Sequence, residues 1–167
     1  MEGRIYTATF DSVAVSAPQD LFEIKAQEAA GASPGRMLII HDWEIFQTSD
    51  VGDAAEEILR IEARRGVLAV ASGSGGSTVV PVPQGYSDTV FGGTVETNNT
   101  TRASAGSPDT LQIIGQHGWN VRVPREKVYT PETRPEIPPG GTFTLGLPVA
   151  PADALTVGGT ITFEELG

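Results

Sequence analysis

Few residues in this chain have the types and spacing that chemistry requires. The run SGSGGST at 72–78 has the glycines of a phosphate-cradling loop. Such a loop needs a Lys after its last Gly to neutralise phosphate charge. Here Ser77 and Thr78 follow Gly76, and Pro81 forbids the helix whose N-terminus would hold the anion. A flexible loop is the better reading. His41-Asp42 pairs a base with an acid, but neighbours on a strand point to opposite faces and cannot hydrogen-bond side chain to side chain. His117 lies among glycines, where a solvated turn is expected. Two histidines and no cysteine make a poor zinc site, which needs three or four such ligands. Asp50, Asp53, Glu56 and Glu57 cluster as a calcium loop would require, without an EF-hand's alternation or central Gly. They read as an acidic turn with Asp53 as helix cap, or as a docking patch for a neighbour's arginines. Trp43 and Trp119 would serve a sugar platform only if exposed, and their strand positions favour the core. No G-x-S-x-G elbow or triad is present, so no catalytic residue, cofactor or metal is expected and the chain does not read as an enzyme.

Charge narrows the partners. The 167 residues carry 21 acids against 11 bases, a net charge of −10. Nucleic acid and anionic membrane surfaces are therefore disfavoured. The paired bases Arg64-Arg65 and Arg122/Arg125 read instead as salt-bridge partners within the chain or between subunits. The absence of cysteine excludes disulfides and fits assembly in a reducing cytosol. The N-terminus lacks a basic-then-apolar leader pattern, so export is not expected, and no apolar run approaches the roughly 18 residues of a membrane span.

The elements that must carry these residues are strands. Ile, Val and Thr number 11, 15 and 17 against nine Leu, and there are 20 Gly and 12 Pro. β-Branched residues suit the pleated surface, and Gly and Pro mark turns. Residues 4–16 alternate in two phases, which predicts a bulge at Asp11-Ser12. Residues 20–26 alternate as a half-buried strand, and 36–48 form a long central one. Residues 58–71 read as a strand broken at Gly66. Pro81 and Pro83 keep 79–83 extended but off the centre of any sheet. The excursion 84–93 is expected to be exposed, carrying Tyr86 and Phe91. Residues 94–101 begin as strand and end as turn, 110–123 give one or two strands around Gly115-Gln116-His117-Gly118, 125–129 are extended, and 142–147 and 155–165 alternate as strands, with Gly158-Gly159 resetting the phase of the last. The expectation is a single all-β domain over 1–167, a jelly roll or β-sandwich of about eight to ten strands with long loops.

Several stretches resemble a family of small proteins encoded among the structural genes of tailed bacteriophages. They are WEIFQTSDVGDAAEEILRI at 43–61, SGSGGSTVVPVP at 72–83, TVETNNTT at 94–101, RPEIPPGG at 134–141 and APADALTVGGTITFEE at 150–165. The resemblance implies a capsid decoration (cement) protein of jelly-roll type. Such a protein is assembled in the host cytoplasm, is commonly a homotrimer, and binds the major capsid protein on the virion surface. A tail or head-fibre module for host receptor binding and a carbohydrate-binding domain are the alternatives. The long loops 72–93 and 130–141 would grip the shell, which together with the basic pair Arg64-Arg65 makes Tyr86, Phe91, Arg134, Arg64 and Arg65 the expected partner-binding residues.

Overall fold

The computed structural model describes residues 3–50, 56–67, 70–106 and 111–167. It contains twelve strands among them: β1 (Gly3–Val15), β2 (Gln19–Lys25), β3 (Met37–Gln47), β4 (Ile58–Gly66), β5 (Ser77–Val79), β6 (Val82–Pro83), β7 (Thr94–Asn99), β8 (Gln112–Asn120), β9 (Arg125–Val128), β10 (Glu136–Ile137), β11 (Thr142–Leu147) and β12 (Leu155–Leu166). All pairings are antiparallel. They are nested: β1 with β12, β2 with β11, β3 with β9 and β10, and β4 with β8. A nested set of hairpins wound into two sheets is a jelly roll. The first sheet runs β10-β3-β12-β1-β6, with β9 also on β3, and the second runs β5-β7-β2-β11-β4-β8.

Local chemistry explains several features. β1 changes register between Phe10 and Val13, with Ser12 at φ 53°, so the predicted bulge is there. It re-aims the strand so that Tyr6, Ala8 and Phe10 before it, and Val15 beyond it, are buried. β3 is central, flanked by β12 on one side and by β9 and β10 on the other. β5 and β6 flank Pro81 and lie on the edges of opposite sheets, because Pro cannot donate to an inner ladder. Short edge strands such as these, and two-residue β10, raise the count above the eight to ten expected.

Three expectations are corrected. β2 is buried on both faces rather than one, because loops cover the outer face of the second sheet. The inward phase of β12 runs unbroken through Val157, Gly159, Ile161 and Phe163. Gly158 and Gly159 do not reset it: a Cβ at Gly159 would stand 2.7 Å from Ile45 and 2.8 Å from Phe10, so the site has no room for one. His117 is not in a solvated turn but inside β8, edge-on to Trp43 at 5.2 Å, with its Nε2 buried and unpartnered.

Both tryptophans are fully buried between the sheets. Trp43 Nε1 donates to the Tyr129 hydroxyl at 3.3 Å and Trp119 Nε1 to the Val123 carbonyl at 2.9 Å, so each indole N–H is satisfied. Burial, then the charges of Arg125 and Lys127, hold the His117 imidazole below the ordinary histidine range. The unfolded chain therefore binds its proton first as pH falls below about 6.5, and stability drops with it. His117→Gln should lose less melting temperature than the parent between about pH 7 and about pH 5, as thermal melts across that range would record.

Candidate functional site

The outer face of the second sheet carries charge where a β-sandwich often meets water. Asp20 on β2 has no exposure. Arg64 on β4 reaches it in a two-pronged contact, Nη2 to Oδ1 at 2.8 Å and to Oδ2 at 2.9 Å. Arg102 Nε adds 3.0 Å, and the Ala103 backbone N–H donates at 2.7 Å. Arg64 also donates from Nε to the Thr144 hydroxyl of β11 and from Nη1 to the Ala103 carbonyl. Burial pulls the Arg64 guanidinium below its ordinary range, and the Asp20 charge opposes that pull. Two arginines and a backbone N–H converging on one buried carboxylate make a structural clamp. Two segments lie over the sheet here, bridged to each other at Ala71–Ser104 and Ser74–Thr101. The second buried acid of β2, Glu23, accepts from Ser72 Oγ at 2.6 Å, Gly73 N at 2.9 Å and Asn99 Nδ2 at 2.9 Å. The glycine-rich run expected as a flexible loop is thus pinned to the sheet.

A third buried carboxylate, Glu165, closes the other end of the sandwich. It accepts from Arg36 Nη1 at 2.7 Å and from the Gly92 backbone N–H at 3.1 Å, with Arg4 at 3.9 Å. The excursion 84–93 is therefore tied down at its far end. Phe91, expected on the surface, is only 8% exposed and packs against Tyr6 and Phe163 with centroids at 5.5 and 5.0 Å. Its ring is a core anchor rather than an exposed one. The Tyr6 hydroxyl donates to the Thr89 carbonyl at 2.8 Å, and Gln84 N donates to the Ile5 carbonyl at 2.8 Å. Between these ties a turn closes from Asp88 N to the Gly85 carbonyl and presents Tyr86, which is 108% exposed.

The expected partner-binding residues thus separate. Tyr86 stands on this crest, Phe91 is in the core, and Arg64 is spent on Asp20. Arg65 and Arg134 come together in a cleft of about 350 Å³ that Tyr129, Thr133, Glu136 and Ile114 also line. Arg65 Nη1 donates weakly to the Glu136 carbonyl at 3.4 Å. Beside them Glu132 is held below the usual carboxylate range by its own backbone N–H first, then by the Thr130 hydroxyl and the Arg134 charge. The cleft therefore holds both signs of charge.

Of the acidic turn, Asp53 and its capping role lie outside the described residues. Glu56 accepts from Asn120 and Glu57 from the Ala152 N–H. His41 Nε2 meets Glu164 at 3.0 Å rather than Asp42. Among the described residues no three His, Cys, Asp or Glu side chains gather as a metal site, and no helix is long and apolar enough to cross a membrane. The residues that organise the structure were not among those singled out: Asp20, Arg102, Glu165, and Glu62, which accepts from Gln116 Nε2 at 3.2 Å and Arg102 Nη2 at 3.5 Å. Glu165 had a legible signal: it shares the inward phase of Ile161 and Phe163, where an acid requires a cation. Asp20 shares the even phase of Phe22 and Ile24 in the sequence, but a bulge opposite Leu145/Gly146 turns it to the outer face, so its actual place was not legible.

No family model and no curated protein matches the chain. Among solved structures it is similar to infectious bursal virus-derived T=1 particles, at 18% identity over 98% of this chain and 40% of that chain, with a TM-score of 0.25. It is similar to infectious bursal disease virus, Gx strain, at 14% identity over 99% and 42%, with a TM-score of 0.23. The chain spans about two fifths of the length of these matches. Likeness so slight assigns no role, and the phage resemblance rests on its own motifs.

Removing Asp20 would leave Arg64 and the Ala103 N–H without their buried acceptor. Asp20→Ala should cost about 3–5 kcal/mol in denaturant unfolding and speed amide exchange at Ala71 and Ser104. Arg65→Ala, which touches no buried carboxylate, should cost less than about 1 kcal/mol.

Proposed function

We propose that residues 1–167 form one β-sandwich domain that acts as a non-catalytic capsid decoration protein. It binds the major capsid protein as a trimer, on the outside of the shell, and stiffens it. The observation that carries this reading is the apolar crest between β5 and β7. Tyr86 and Val90 are exposed there, on a segment fixed by Gln84, Thr89 and the buried Phe91, and the exposed Val80 and Val82 lead into it. Exposed apolar residues on a pre-ordered loop bind protein at low entropic cost, and tyrosine is a frequent anchor. The motif resemblance supplies the partner and the trimer. The buried carboxylates support a role in which shape, rather than reactivity, is the product: Asp20, Glu23 and Glu165, with Arg64, are consumed in holding loops still.

Attachment of this kind works by multivalency. Each crest contact is modest, and three per trimer raise the total affinity without any new contact type. Both tryptophans are buried, which leaves the sugar-platform reading without its rings.

Shells carrying the chain should survive heating that ruptures bare shells, and equal rupture temperatures would count against decoration. Tyr86→Ala combined with Val90→Ser should weaken attachment about tenfold or more, measured as copies retained per shell across a dilution series.

A further inference from the structure

A free sheet edge is a row of unpaired N–H and C=O groups, and folded proteins blunt it with brevity, proline or charge. Most edges of this sandwich obey. β5 and β6 have three and two residues and flank Pro81. β10 has two residues between Pro135 and Pro138, and β9 carries Arg125, Glu126 and Lys127 in four positions. β8 does not obey. It runs nine residues, Gln112–Asn120, with no Lys, Arg, Asp, Glu or Pro. It pairs only with β4, on one side, among the described residues. A single bulge at Ile114 is its only irregularity.

The two ends of this edge are complementary in shape. Ile113 and Ile114 project near its start, 53% and 38% exposed. Near its end a mostly apolar groove of about 430 Å³ is lined by Ile58, Gly118, Trp119, Val123 and Pro124, with Asn120 and the charged Arg125 completing its wall. Ile58 and Val123 are exposed at 77% and 58%, and a Cβ placed on Gly118 would touch nothing nearer than Ile58 at 3.8 Å. Knob and groove are about equally far from Gln116, at the middle of the strand.

We propose that β8 is a self-pairing edge that joins two copies of this chain about a two-fold axis through Gln116. Antiparallel pairing centred there brings Ile113 and Ile114 of one copy beside Gly118 of the other, twice over. That is the signature of an isologous interface, in which the same patch serves both partners. Charge selects the same occupant. Two chains of net charge −10 repel, and β8 is a charge-free strip along which their backbones can meet. Pairing satisfies the free ladder groups and fuses two six-stranded sheets into one. A trimer formed through other surfaces would be joined pairwise by it. The proposal is independent of the shell reading: one can fail and the other stand.

The chain has no native cysteine, so a single introduced thiol reports on the axis directly. Gln116→Cys places two thiols opposite each other, within the roughly 4.4–6.8 Å Cα separation that a disulfide spans. Under mild oxidation it should give a cross-linked dimer on non-reducing gels, whereas Val149→Cys, exposed elsewhere, should not. In sedimentation equilibrium the particle mass should halve in Ile113→Lys/Ile114→Lys, two exposed changes that leave the thermal midpoint intact. A parent that sediments as a single 17.5 kDa chain, a mass unchanged by the double substitution, or equal cross-linking of both cysteine variants would each overturn the proposal.

Discussion

Asp20 is a carboxylate with no access to water, and the second sheet and the loops above it are arranged to pair it. Stripping an ion of water costs several kcal/mol, recovered only when its lone pairs are filled with good geometry. Arg64, Arg102 and the Ala103 N–H fill them. Because these donors come from β4 and from a covering segment, the ion pair ties the second sheet to the loops above it. Glu23 and Glu165 repeat the device at two other places, with backbone N–H groups of Gly73 and Gly92 as further donors. A Cβ at Gly92 would stand 2.9 Å from Glu165 Oε1, and one at Gly73 2.5 Å from the Thr101 carbonyl, so neither approach leaves room for a side chain.

The same logic explains how a long insertion can be ordered. The chain between β4 and β8 would be an unusually long irregular connection in a compact domain. It instead adds β6 to the first sheet and β5 and β7 to the second, so its backbone polar groups enter existing ladders. Phe91 then inserts between Tyr6 and Phe163, and what is left outside is a short turn bearing Tyr86. Rigidity of the insertion and exposure of its crest have one origin: the ends are consumed by the sheets and the core, and the middle is too short to fold back.

Much of the strand pattern was legible. The double phase of β1 located its bulge, Pro81 and Pro83 placed β5 and β6 at edges, and Trp43 and Trp119 were readable as core. Phe91, β2 and His117 were misjudged for a shared reason. Each owes its burial to a segment distant in sequence: Tyr6 and Phe163 for Phe91, residues 72–73 and 102–103 for β2, and Trp43 for His117. Alternation reports which side of a strand is apolar. It does not report whether another piece of chain lies across the polar side.

Local backbone preference and residue inventory are enough to set the strand-rich character, the turns and the exclusion of thiol chemistry. The tertiary structure alone decided which charges are spent internally and which surfaces stay open. Arg64 and Arg65 are adjacent in sequence, yet one closes a buried clamp and the other lines an open cleft, since neighbours on a strand face opposite ways and only the sandwich assigns each side a partner. The free edge of β8 is equally a property of the assembled sheet: a strand is an edge only once the order of its neighbours is settled.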